Sequence, residues 1–143
     1  MIEFTVPGRP VPQARPRVVR GHAYTPAKSA QYQRIVAATA AHIMKGKELF
    51  LGSVACEIEL YFAIPKSYTK GKQLAAEYNV IKPVTRSSGD ADNHAKAIMD
   101  ALTGVCWGDD SQVTRLSVIK RFTKDAHTEK ALVRIFEDRE DAT

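Results

Sequence analysis

The stretch from Val54 to Ile64 constrains the fold most. Val54, Cys56, Ile58, Leu60, Phe62 and Ile64 occupy every second position, with Glu57 and Glu59 between them. A helix would scatter those apolar side chains around its circumference, whereas a strand puts them all on one face. That face must be covered, so the chain needs a second layer. Pro65 ends the strand, because proline cannot donate to a sheet ladder. The cover is predicted to come from two helices. Thr25 followed by Pro26 reads as a helix start, with Tyr32, Ile35, Val36, Thr39, Ala40 and Ile43 as the apolar stripe and an end near Lys45-Gly46. A second helix is predicted from about Asp92 to Thr103, closed by Gly104, burying Ala95, Ile98, Met99 and Leu102.

Ile2, Phe4 and Val6 alternate as a first strand, followed by a Pro-rich segment from Pro7 to Pro12. Two more strands are expected at about Val113 to Phe122 and Lys130 to Glu137, joined by the polar turn Lys124 to Thr128. Lys66 to Gly89 reads as mostly irregular, with a helical turn or two around Leu74 to Tyr78. The order strand, helix, strand, helix, strand, strand predicts an α+β fold of two layers, helices packed on a mixed β-sheet. A single domain over residues 1–143 is expected, since this length suffices for a core without staples.

A hydrophobic content of 44% and a charged content of 26% place the chain among ordinary globular proteins. The two cysteines, Cys56 and Cys106, lack metal-ligand spacing and read as small buried residues in a reducing compartment. The longest apolar run, Ile35 to Met44, is interrupted by Thr39 and His42 and is too short to cross a bilayer. With no signal-peptide pattern at the start, the expectation is a cytoplasmic protein without membrane contact.

The net charge of +5 is unevenly distributed. From Thr5 to Lys47 there is no acid, against Arg9, Arg15, Arg17, Arg20, Lys28, Arg34, Lys45 and Lys47. A second basic stretch, Lys66, Lys70, Lys72, Lys82 and Arg86, is opposed only by Glu77. Segregation of this kind suits a polyanion, and Arg9, Arg15, Arg17, Lys66, Lys70, Lys72 and Arg86 are the candidate DNA contacts.

Between the basic stretches and the acidic tail lies a carboxylate cluster: Asp90-Ala91-Asp92-Asn93, then Lys96, Asp100 and Asp109-Asp110. Crowded carboxylates repel unless a cation sits among them, and oxygen-only donors favour Mg²⁺ or Mn²⁺ over zinc. An isolated Asp-x-Asp more often supplies a helix cap and a solvated loop acid. An EF-hand is excluded, because Ala95 stands where the loop needs glycine and Ala101 where it needs glutamate. A nucleotide-sugar transferase would need more chain and a Gly-rich phosphate loop. Lys96 follows Asp92 at helical spacing; that is either a surface pair of about 0.2–0.5 kcal/mol or an ammonium held near a phosphate. Asp100 reads as a supporting acid or as Lys96's partner, and Trp107 as a packing anchor behind the Asp109-Asp110 turn. His22, His42, His94 and His127 lack the spacing of a metal site, and His94 is expected to face solvent or DNA.

Asp90-Ala-Asp92-Asn93-x-x-Lys96-Ala-x-x-Asp100-Ala-Leu, followed by Trp107-x-Asp109-Asp110-x-Gln112-Val113, resembles the signature of RusA-type Holliday junction resolvases. Gly8-Arg9-Pro10-Val11-Pro12, Arg15-Pro16-Arg17 and Tyr24-Thr25-Pro26 also resemble that family, particularly its phage and prophage members. The resemblance implies a homodimeric, Mg²⁺-dependent endodeoxyribonuclease, with Mn²⁺ as a substitute ion. Such an enzyme cuts four-way DNA junctions by paired nicks in recombination and repair. It implies Asp90, Asp92 and Asp110 as metal-binding catalytic acids and Lys96 as the catalytic lysine, with Asn93, Asp100 and Asp109 in supporting roles. Three rival expectations stand beside it: a metal nuclease acting on flaps, forks or RNA, a branched-DNA-binding protein without activity, and acids that form a structural cation site.

Overall fold

The computed structural model describes residues 1–14, 17–19, 22–24 and 27–139, with the backbone alone for 17–19 and 22–24. Its elements are β1 (Ile2–Pro7), β2 (Arg17–Val19), β3 (His22–Tyr24), α1 (Ala27–Met44), β4 (Val54–Ala63), α2 (Lys70–Glu77), α3 (Ala91–Leu102), β5 (Val113–Thr123) and β6 (Lys130–Glu137). Four strands form one sheet in the order β1-β6-β4-β5, and β2 and β3 form a separate hairpin. β4 runs parallel to β5 and antiparallel to β6, while β1 runs antiparallel to β6. The sheet is therefore mixed, and with its helices the fold is α+β, as the sequence predicts.

The period-two pattern of β4 does what its spacing demands. Cys56 lies opposite Ile135 and Ile58 opposite Val133, which joins two alternating strands into one apolar face. α1 and α3 pack on that face, and Val36, Ile58, Leu60, Ile98, Leu102, Val133 and Ile135 form its almost solvent-free core. The opposite face is charged. Arg134 pairs with Glu3 at 2.6 Å and with Glu59 at 3.0 Å, and Arg121 pairs with Glu59 at 3.1 Å. A parallel β4–β5 pair needs a long crossover, and that crossover carries α2 and α3. It delivers the acidic segment to the sheet edge formed by β5.

Three details differ from the sequence reading. On α1 the buried ridge is Tyr32, Val36, Ala40 and Met44, with Ser29 before it, while Ile35 is 42% exposed. The helix seats a single four-residue ridge, narrower than the stripe its sequence suggests. The irregular 66–89 stretch contains the full helix α2, whose Thr69 hydroxyl accepts a hydrogen bond from the Lys72 amide at 3.3 Å as an N-cap. The β2–β3 hairpin lies where only an extended arginine-bearing loop was expected. The Thr25-Pro26 helix start falls outside the described residues.

His94 is the main correction. It does not face solvent or DNA but is 1% exposed, edge-on to the Phe62 ring at a centroid distance of 5.5 Å. Its Nε2–H donates to the Ser88 carbonyl at 2.6 Å. The next residue, Gly89, has φ 74° and ψ 174°, a region open in practice to glycine alone. A Cβ there would meet His94 Nε2 and Pro12 Cγ, each at 2.9 Å. Lys120 Nζ donates to the Gly89 carbonyl at 2.7 Å, and Arg9 Nη2 donates to the Ser87 carbonyl at 2.9 Å. The backbone entering Asp90 is thus clamped from the helix, the sheet edge and the N-terminal segment.

Two outcomes follow from this corner. Gly89→Ala should cost about 1–3 kcal/mol in denaturant unfolding, since both the backbone region and the space are denied to a side chain. Burial, helped by the Lys120 and Arg9 charges, holds the His94 pKa below its ordinary 6.5 despite the Ser88 hydrogen bond and Asp90. The unfolded chain takes up a proton as pH falls through about 6.5 while the folded chain does not, so stability is lost on acidification. Thermal unfolding at pH 7.5 and 5.5 should show a drop in the wild type that is smaller in His94→Gln.

Candidate active site

Asp90 is the N-cap residue of α3 and Asp92 lies in its first turn, where the helix dipole favours negative charge. The Asp90 side chain makes no capping hydrogen bond, so its carboxylate is not spent on the helix it precedes. Lys96 and Asp100 follow on the same side of the helix, and Lys96 Nζ lies 3.7 Å from Asp100 Oδ2. The sequence pairs Lys96 equally well with Asp92; the structure pairs it with Asp100. At 63% exposure of the lysine this contact is a weak surface pair of well under 1 kcal/mol, and the ammonium can leave it.

Asp110 arrives from the other direction. α3 ends at Leu102; Thr103 closes it through its amide to the Met99 carbonyl at 3.0 Å, and Gly104 turns the chain at φ 88°. Trp107 is then fully buried, which brings the chain back beside the helix end. Its indole Nε1–H points at Thr103 Oγ1 at 3.2 Å and at Asp110 Oδ1 at 3.4 Å. The Thr103 hydroxyl also hydrogen-bonds Asp110 Oδ1 and reaches the Met99 carbonyl at 2.9 Å. Both donors meet Oδ1, which leaves Oδ2 for a ligand. Trp107 is the packing anchor its sequence position suggests, with an added polar duty.

Asp109 has a different task. Its Oδ1 accepts from the Ser111 amide at 2.8 Å, which holds its carboxyl below the usual range. The Gln112 side chain completes a capping box: its Oε1 accepts from the Gly108 amide at 2.8 Å and the Asp109 amide at 3.0 Å. Its Nε2 donates to the Phe50 and Gly52 carbonyls at 2.8 and 3.1 Å. Sequence reasoning quoted Gln112 only as part of a motif, without a role, and missed Thr103. An Asp-x-x-Gln spacing is a helix-start signal and was available for the first; nothing local marks the second.

Asp92, Lys96, Asp100 and Asp110 line one open groove of about 250 Å³, floored by Ala95, Met99 and Leu116. Asp90 is outside that lining, on the side where Lys120 approaches. Among the described residues no three of His, Cys, Asp and Glu converge to enclose a metal ion. Asn93 is not part of the groove lining; its backbone carbonyl accepts from the Gln13 amide at 2.9 Å. A larger cavity of about 360 Å³ lies across the 85–89 loop, but Asp125 is its only acid, so it offers no paired carboxylates.

The basic candidates separate into two kinds. Arg9 is exposed but engaged with the protein: Nη1 meets the buried Glu129 at 2.6 Å and the guanidinium lies 5.1 Å from the Phe62 centroid. Glu129 also accepts from the Ala63 amide at 2.9 Å. Lys66, Lys70, Lys72 and Arg86 are exposed on the crossover leading to Asp90. Arg15 and the side chain of Arg17 lie outside the described residues. No described helix is long and apolar enough to cross a membrane.

A protein of Bacillus subtilis (strain 168), described as uncharacterized protein YqaN, is 36% identical over 134 residues, covering 90% of this chain and 92% of its own length. The family model described as Endodeoxyribonuclease RusA matches residues 7–133, a span that includes every acid of the groove and the clamp that holds Asp90. The chain belongs to the RusA family of endodeoxyribonucleases, hydrolases that act on branched DNA.

Proposed function

We propose that this protein resolves four-way DNA junctions by paired phosphodiester cuts that depend on Mg²⁺, with Mn²⁺ as a substitute. It would work as a homodimer in DNA recombination and repair, the whole of residues 1–143 acting as one domain. The observation that carries the reading is the meeting of Asp92 and Asp110, from separate elements, in one exposed groove beside Lys96.

The donor chemistry supports a hard divalent ion. Thiols and imidazoles are withheld from the groove: burial pushes Cys56 up to about 12 and Cys106 up to about 11, and His94 is turned into the core. What remains is oxygen, which suits Mg²⁺ or Mn²⁺. Mg²⁺ is commonly held by one or two carboxylates, with water and substrate phosphate oxygens filling the other positions. Asp92 and Asp110 are the pair in the groove that would hold it, and Asp90, outside the groove lining, is the third acid proposed for the metal. When bound, such an ion activates water and neutralises charge on a phosphodiester.

The chain's own contribution is positional. Hydrolysis adds water across the bond from phosphorus to the 3′ oxygen, and negative charge accumulates on the phosphoryl oxygens. Lys96, exposed and loosely held by Asp100, can put its ammonium there. Trp107 and Thr103 orient Asp110, and the Gln112 capping box holds the turn on which Asp110 sits. Lys66, Lys70, Lys72 and Arg86 would take phosphates of the arms, giving salt-dependent affinity. A dimer with twofold symmetry would present two grooves to the two opposed strands of a junction. Nothing in the groove favours flaps or forks, and comparing junction, flap, fork and duplex cleavage with one preparation decides between them.

Two substitutions test the roles. Asp92→Asn should lower junction cutting about 10²-fold or more while junction binding persists; full-rate cutting by pure variant would remove Asp92 from the metal site. Thr103→Val keeps the shape of the residue but removes its donor. It should weaken Mn²⁺ binding about 10–100-fold in direct titration, and Thr103→Ser should restore it.

A further inference from the structure

We propose that the segment from Leu74 to Val84 is a wedge that unstacks bases at the branch point of the junction, with Tyr78 as its stacking residue. The proposal rests on the branched-DNA reading above and adds to it a surface distinct from the acidic groove. Leu74 is 55% exposed, Tyr78 76%, Val80 76% and Val84 85%, all within one short stretch. Leu74 and Tyr78 stand on successive turns, the Tyr78 amide donating to the Leu74 carbonyl at 3.2 Å, and exposed large apolar side chains gathered in one segment suit a contact surface.

The segment is held firmly with these side chains pointing outward. Asn79 has φ 53°, in the left-handed region that asparagine tolerates. Its side-chain amide acts as a strand partner for the outer edge of β5: Oδ1 accepts from the Phe122 amide at 2.8 Å and Nδ2 donates to the Phe122 carbonyl at 3.4 Å. The Val80 amide donates to the Ala75 carbonyl at 2.8 Å, and Pro83 is buried between exposed Lys82 and Val84. Further along, Arg9 and Lys120 hold Ser87 and Gly89. Tyr78, Val80 and Val84 are thus displayed on a fastened strap.

Charge identifies the occupant. Lys70 and Lys72 precede the apolar residues, Lys82 lies between Val80 and Val84, and Arg86 follows, while Glu77 is the single acid from Lys66 to Gly89. Cations around an apolar tip match a ligand with phosphates outside and stacked bases within. The placement is also apt. Asn79 sits beside Phe122, and Leu116 on the same strand lines the acidic groove. From Leu116 to Phe122 the strand advances about 20 Å. A wedge at one end of β5 can hold the branch open while a strand is cut at the other.

The test uses the full chain in EDTA with a four-way junction carrying 2-aminopurine beside the branch point. Wild-type binding should raise the fluorescence, because an unstacked 2-aminopurine is no longer quenched. Combined Tyr78→Ser, Val80→Ser and Val84→Ser should abolish the rise and lower the preference for junction over duplex roughly tenfold, the worth of about one base stack. Tyr78→Phe should keep both. An unchanged rise in the triple variant overturns the proposal. So does a change from dimer to monomer by light scattering, which would make the patch a contact between copies. Wild-type protein that binds and cuts junctions without a fluorescence rise removes the wedge alone. Failure to bind or cut junctions removes the reading beneath it.

Discussion

Burial of Trp107 is the interaction on which the site depends. The indole fills the space behind the end of α3, and the chain on either side must follow it. Thr103 and Asp110 are brought to the single indole N–H, whose burial requires a polar partner. Hydrophobic packing thereby fixes where Asp110 stands relative to Asp92, though the two belong to different elements. The groove is as well defined as the core behind it.

The same economy governs the approach to Asp90. A glycine-only conformation at Gly89, a buried histidine, a sheet-edge lysine and an arginine anchored on a buried glutamate all act on the three consecutive residues Ser87, Ser88 and Gly89. These groups look catalytic when listed by type, yet their hydrogen bonds point at backbone carbonyls. Two populations of charge result. Arg9, Arg121 and Arg134 are engaged with carboxylates of the protein, while Lys66, Lys70, Lys72, Lys82 and Arg86 lie on the exposed crossover. Family membership fixes the reaction class.

Most of the architecture was legible in the sequence because its patterns are strong. β4 alternates from Cys56 onward, and the strands 113–123 and 130–137 match the predicted runs nearly to the residue. The acids of the groove were legible too, through their spacing on α3 and their company. What was not legible depends on tertiary partners. The ion pair of Arg9 with Glu129, far away in sequence, has no local signal. Ile35 reads as core until α1 is seen to seat one ridge. His94 was misread although the information was present: with Ile98 and Leu102 it falls at four-residue spacing on the buried face. Its polarity outweighed its position, and the Ser88 carbonyl that makes burial affordable lies in a loop with no pattern of its own. Thr103 and Lys120 carry no local mark at all, since each acts by reaching across the fold.

The central claim is that the groove between α3 and the Trp107 turn carries metal-dependent cutting of branched DNA. The most direct measurement is cleavage of a labelled four-way junction beside linear duplex of the same sequence, with Mg²⁺ and with EDTA. The account predicts symmetric paired nicks in the junction with Mg²⁺, none with EDTA, and an intact duplex. Cutting that persists in EDTA, or that consumes duplex as readily as junction, would contradict it.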